Sequence, residues 1–165
     1  MAKVTLKGNA VNTNGELPAV GSTAPEFRLV DGGLQDHTLA SFGSQRKILN
    51  IVPSLDTAVC ATSTRVFNER AAALDNTVVL VISADLPFAM KRFCEAEGID
   101  KVTPLSMMRS RNFAKDYGVL LQDGPLEGIS GRAVVVLDEN NKVTYTQLVN
   151  EITQEPDYEA ALGAL

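Results

Sequence analysis

Histidine occurs once in this 165-residue sequence and cysteine twice. The lone His37 sits in a polar stretch expected to be an exposed loop, and no Gly-x-Ser-x-Gly accompanies it, so a serine triad has no obvious base. Two cysteines and one histidine also fall short of a four-ligand zinc site, and no metal or cofactor is expected. Cys60 and Cys94 stand 34 positions apart, which excludes the Cys-x-x-Cys spacing of dithiol exchange. The glycines of DGPLEGISG are not followed by Gly-Lys-Ser/Thr, so they do not form a phosphate loop. No apolar run approaches the roughly 18 residues of a membrane span. Fifteen basic residues against 20 acidic ones, interspersed to a net charge of -5, lack the basic stripe of a nucleic-acid binder. The opening MAKVTLKGNAVNTNGE alternates and turns polar, without the core of a signal peptide, and a cytoplasmic location is the expectation. There two cysteines are not expected to form a permanent bridge. They are either buried and inert or engaged in redox chemistry.

What is present is an ordinary globular composition, 45% apolar and 21% charged, long enough for one domain spanning residues 1–165. KVTLKGNAVNTNG predicts a hairpin around Gly8-Asn9, and Pro25 precedes a short strand ending in the Gly32-Gly33 turn. ILNIV (48–52) and TVVLVISAD (77–85) read as strands, the first apolar throughout as in strands buried on both faces. Helices are expected over about 59–74, over 87–96 with Asp85 as cap and Gly98 as stop, and from Ser110 through Tyr117. VTPLS is a short strand, RAVVVLDENNKVTYTQLV a hairpin turning at Glu139-Asn140-Asn141, and Thr153 to Leu165 a closing helix. Strands alternating with helices imply a parallel sheet centre, and the late hairpin adds antiparallel edges. The result is an α/β fold with a mixed central sheet, helices on both faces and an N-terminal β-hairpin. Thioredoxin-like folds have this arrangement, as do other mixed α/β domains.

The chemistry concentrates in PSLDTAVCATSTRVFNER, residues 53–70. Free cysteine is among the most buried residue types, so packing alone is one reading of Cys60. Three features favour another. Cys60 falls in the first turn of a helix, where unpaired N–H groups and the macrodipole favour a thiolate. Its flank, Asp56-Thr57-Ala58, is small and polar. Helix starts after strands are also where open α/β sheets hold ligands.

These residues also carry a resemblance. Pro53, Thr57 and Cys60 form a Pro-x-x-x-Thr-x-x-Cys motif, and Gly21, Ala24, Pro25 and Phe27 form an upstream Gly-x-x-Ala-Pro-x-Phe. Arg132 precedes AVVVLD, and Cys94 stands in FCEAEGI. With these, the chain resembles the peroxiredoxins over essentially its whole length, and within them the atypical two-cysteine branch. Ala61 replaces the proline that many other peroxiredoxin classes carry after the cysteine, in keeping with that branch. The resemblance implies that Cys60 attacks a hydroperoxide and that Cys94 resolves the sulfenic acid as an intramolecular disulfide. It further implies that Thr57, Arg132 and Pro53 shape the site, that thioredoxin is the reductant, and that the chain is a homodimer with Ile129-Ser130-Gly131 near the contact.

A magnitude shows why such a site needs more than an acidic thiol. Lowering a thiol pKa from about 8.5 to about 6 raises the thiolate fraction at pH 7 roughly 30-fold. A Brønsted slope of about 0.45 removes roughly 13-fold of that in nucleophilicity. The net gain is only about twofold, so donors aimed at the departing oxygen must carry the rest, and Arg132 is the expected source. A non-catalytic module with packing cysteines and a disulfide-exchange protein are the competing readings.

Overall fold

The computed structural model describes residues 1–165. Strands β1 (Lys3–Leu6) and β2 (Asn9–Asn12) form the expected antiparallel N-terminal hairpin. The main sheet uses β3 (Leu29–Val30), β4 (Asp36–His37), β5 (Arg46–Ile51), β6 (Thr77–Ser83), β7 (Thr103–Ser106), β8 (Ala133–Leu137) and β9 (Val143–Leu148). Its spatial order is β4-β3-β7-β6-β5-β8-β9. The central trio β7, β6 and β5 is parallel, and every other pairing is antiparallel. β5, β6 and β8 are rich in Val, Ile and Leu and largely buried, as suits strands covered on both faces.

Helix α1 (Ala58–Ala71) links β5 to β6, and α2 (Pro87–Glu97) links β6 to β7. Both crossovers join parallel neighbours and step in the same direction across the sheet. Because such crossovers are right-handed, both helices must fall on one face. That face is an apolar cluster holding Ile48, Val79, Val81, Val134 and Val136 from the sheet, Cys60 and Phe67 from α1 and Met90 from α2. It also takes Ala161 of α4 (Tyr158–Gly163), with Cys94 packed at its margin. The opposite face is covered by Leu39 and by Phe113, Ala114 and Tyr117 of and beside α3 (Phe113–Asp116).

Four expectations need correction. The closing helix covers only Tyr158–Gly163, because Pro156 cannot continue a helix from Thr153 and the Asp157 carboxylate caps the start by accepting the Ala160 N–H at 3.0 Å. α3 does not start at Ser110. The Ser106 hydroxyl instead caps a 3-10 turn, Met107–Arg109, and Ser110 takes a non-helical conformation behind it. Asp85 does not cap α2, whose N-cap position is Leu86, with no side-chain cap and with Pro87 in the first turn. The carboxylate turns instead to the loop after β5. His37 is half-buried, not exposed: it lies in β4, its ring nitrogen is 2.8 Å from Asp31, and it stacks on Phe42.

The inner stripe of α1 is Cys60, Ser63, Thr64 and Phe67, spaced as one helical face. Its first half is polar. The Ser63 and Thr64 hydroxyls donate back to the Cys60 carbonyl at 3.1 and 2.8 Å, an arrangement that slightly weakens a helix. Phe67 supplies the apolar anchor, fully buried and edge-to-face with Tyr158 at 5.2 Å. Phe67→Ala is therefore expected to cost about 3–5 kcal/mol in equilibrium urea unfolding. A loss below about 1 kcal/mol would show that α1 is held elsewhere.

Candidate active site

Strand pairing assembles the site before any side chain is considered. β5 lies between parallel β6 and antiparallel β8, with Ile51 opposite Ile82 on one side and Ala133 on the other. The segment leaving β5 therefore passes both the residue preceding β8, Arg132, and the residues following β6. Ser130 fixes the first junction by donating its hydroxyl to the Val52 carbonyl at 3.0 Å.

Pro53, Thr57 and Arg132, all singled out in the sequence, line one pocket of about 510 Å³. Pro53 is buried and Thr57 exposed. Arg132 is only 2% exposed, donates from Nε to the Ile152 carbonyl at 3.0 Å, and has a buried Nη1 with no acceptor in the protein. Cys60 is fully buried and does not itself line this pocket, although Thr57, Ala58 and Val59, the three residues before it, do.

The start of α1 is open to an incoming group. Its first backbone hydrogen bond runs from the Ala61 N–H to the Thr57 carbonyl at 2.9 Å, and no side chain caps it. The earlier amides, that of Cys60 included, thus lack helical acceptors. The Thr57 hydroxyl gives its proton to the Ser54 carbonyl at 3.0 Å, which leaves its lone pairs free to accept.

Sequence reasoning missed the rest of the wall. Leu6, Leu126 and Ile152 make it apolar, with Lys7 and Thr153 beside them. These residues come from the hairpin tip and two loops, and Glu151 holds the tip in place. Its carboxylate accepts from the Thr153 N–H and hydroxyl at 3.1 and 3.0 Å and from the Gly8 N–H at 2.9 Å. Those bonds, the Thr153 N–H first, lower its pKa to about 2. The only signal in the sequence was leucine and isoleucine in stretches otherwise polar.

Cys94 is not part of this pocket. It lies on α2, half-buried against the same apolar cluster as Cys60, and both cysteines are free thiols within intact helices. Burial pushes the Cys94 thiol up to about 11.

The redoxin family model matches residues 19–162. A thiol peroxidase from Corynebacterium glutamicum is 56% identical over 165 residues, all of this chain and 99% of the relative. Among solved structures, a peroxiredoxin-like protein from Aquifex aeolicus superposes with TM-score 0.93 at 44% identity, over 99% of this chain and 96% of that one. A thiol peroxidase from Chromobacterium violaceum superposes at 0.91 with 26% identity, over 98% and 93%. No helix here is long and apolar enough to cross a membrane. The thioredoxin-like mixed sheet, the family match and the full-length identity together establish that the chain belongs to the redoxin family, as a thiol peroxidase and peroxiredoxin-type oxidoreductase.

Proposed function

We propose that this chain, acting as one domain in the cytoplasm, reduces hydrogen peroxide and alkyl hydroperoxides through Cys60, with Cys94 as resolving thiol and thioredoxin as reductant. The observation that carries the reading is Arg132. A buried charged donor left without an acceptor costs about 1–3 kcal/mol or more, so its Nη1 is best understood as held for a group that enters the pocket beside Cys60.

The hydroperoxide is oriented by complementary roles. Thr57, its proton committed to Ser54, accepts from the terminal O–H, while Arg132 and the first amides of α1 donate to the oxygens. The Cys60 thiolate attacks the terminal oxygen, an S–O bond forms and the O–O bond breaks. Sulfur supplies two electrons, and the departing alkoxide or hydroxide takes a proton, leaving Cys60 as sulfenic acid with alcohol or water released. Charge builds on the leaving oxygen, where the fixed guanidinium offsets it. Pro53, with no N–H to hydrate, keeps one wall dry. The apolar wall of Leu6, Leu126 and Ile152 suits the organic part of an alkyl hydroperoxide.

In the second step the Cys94 sulfur attacks the sulfenic sulfur, an S–S bond forms and water leaves. A dithiol protein then reduces the disulfide, and thioredoxin is the expected one. Cys94 at a pKa near 11 is a poor nucleophile while α2 is folded. Unwinding around residues 58–64 and 90–96 frees it from burial and lets the two sulfurs meet at disulfide geometry. The exposed Leu86 and Phe88, near a groove lined by Met107, Met108 and Ile129, suit a homodimer contact beside the site.

Turnover coupled to thioredoxin, its reductase and NADPH tests the scheme. Cys60→Ser is expected to abolish peroxide consumption. Cys94→Ser keeps one stoichiometric reaction, stops recycling and accumulates over-oxidised Cys60. Arg132→Ala slows the first step by about 10²–10³-fold. Full coupled turnover by Cys94→Ser would replace the resolving role with direct reduction of the sulfenate. The burial of Cys94 adds a pH test on the reduced protein. A raised thiol pKa keeps the neutral form dominant, so alkylation of Cys94 is slower than that of free cysteine at pH 8. Its rate keeps climbing beyond pH 9 towards a midpoint near 11. A rate that levels off at pH 9 would mean the thiol is not shielded.

A further inference from the structure

Asp85 stands outside the pocket, yet both cysteine-bearing segments converge on it. It follows β6 directly, beside the loop that leaves β5, and it immediately precedes α2. One carboxylate oxygen accepts the Ser54 hydroxyl at 2.8 Å, and the other accepts the Leu55 N–H at 2.8 Å and the Ser83 hydroxyl at 2.6 Å. All three donors are neutral, so the contact is a directional clamp and not an ion pair.

The bonds continue from the clamp to the site. Having given its proton to Asp85, the Ser54 hydroxyl accepts the Asp56 N–H at 3.2 Å. The Ser54 carbonyl accepts both the Thr57 N–H at 3.2 Å and the Thr57 hydroxyl at 3.0 Å. The turn that places Thr57, and with it the start of α1, is thus hung on Ser54, and Ser54 is hung on Asp85. From the other side, the Ser106 hydroxyl holds the Asp85 main-chain carbonyl at 2.5 Å, tying the clamp to the end of β7.

We propose that Asp85 is a positioning residue that joins the Cys60 loop to the head of the Cys94 helix and sets the balance between the closed site that attacks peroxide and the unwound state that forms the disulfide. The inference rests on the peroxidase reading above. With the clamp made, the Thr57 hydroxyl and the α1 amides are fixed relative to Arg132, and neither helix start can move alone. With it broken, the 54–57 turn and the first turn of α2 loosen together. Attack needs the first arrangement, because a misplacement of about 1 Å in a reacting group can cost about 10²-fold. Resolution needs the second. Weakening the clamp therefore shifts the two steps in opposite directions, which loss of stability alone does not predict.

Stopped-flow measurement of both steps on the reduced protein tests this, using Asp85→Ala and the milder Ser54→Ala, which removes one of the three donors to Asp85 together with the acceptor of the Asp56 N–H. Asp138→Asn is the control, since Asp138 clamps the β8–β9 turn at the far end of the sheet through the Asn140 and Lys142 amides. Peroxide attack is expected to fall about tenfold or more in Asp85→Ala and a few-fold in Ser54→Ala. Disulfide formation is expected to speed up in both, and less Cys60 sulfinic acid to accumulate at a given peroxide dose. Asp138→Asn is expected to lose stability with both rates near wild type. Parallel slowing of both steps, or wild-type rates in both clamp variants, overturns the inference while leaving the peroxidase reading intact. A wild-type chain inert towards peroxide overturns that reading and this inference with it.

Discussion

The pairing of β5 with a parallel neighbour on one side and an antiparallel neighbour on the other governs the rest of the molecule. An antiparallel partner begins where β5 ends, and this puts Arg132 beside the chain as it leaves Ile51. A parallel partner ends where β5 ends, and this brings Ser83 and Asp85 to the same place. The Cys60 loop, the guanidinium and the clamp thus meet at the C-terminal ends of the central strands β5 and β6 without any long-range loop excursion. The same topology, through two right-handed crossovers stepping one way, puts both cysteines on one face.

The two steps of the proposed chemistry make opposite demands on this arrangement. In that scheme, attack requires Cys60 to sit still near an uncapped helix start, beside a pocket that holds a guanidinium nitrogen with no acceptor. Disulfide formation, as proposed, requires that same helix start to come apart. The sequence of α1 serves both. Its first two turns face the sheet with Cys60, Ser63 and Thr64, whose hydroxyls turn back on the helix's own backbone, and its later part is fixed by Phe67 against Tyr158. Beneath Ser63 lies Asn50, buried on β5, with its side-chain carbonyl unpartnered. A polar, imperfectly satisfied seam under the first turns and an aromatic lock beyond them suit the proposed unwinding, with the weaker part of the helix at Cys60 and the firmer part at Phe67.

How much of this was legible beforehand follows from which interactions are local. The hairpin, the parallel core and the strand-to-helix setting of Cys60 come from periodicity and turn chemistry, and they stand where the sequence puts them. Pro53, Thr57 and Arg132 were found through motif resemblance, and strand pairing gathers them into one pocket. The pocket's apolar wall was not legible, because Leu6 at the end of β1 is brought together with Leu126 and Ile152 from two distant loops. Asp85 reads locally as a helix cap, and the structure gives its carboxylate other partners. An aspartate before a helix has a local option, capping, and here three donors from neighbouring strand ends outcompete it. The closing helix was drawn too long because Pro156 was given no power to stop what preceded it.

In the proposed cycle Cys60 is oxidised beside this pocket and handed to Cys94 within the same chain. Intact-mass analysis of the reduced protein after one equivalent of hydroperoxide addresses it directly. The expected product is lighter by two hydrogens, with a single peptide pair joined through Cys60 and Cys94. A persistent gain of one oxygen on Cys60 with no internal bridge would contradict resolution by Cys94, and an unchanged mass would contradict the peroxide chemistry itself.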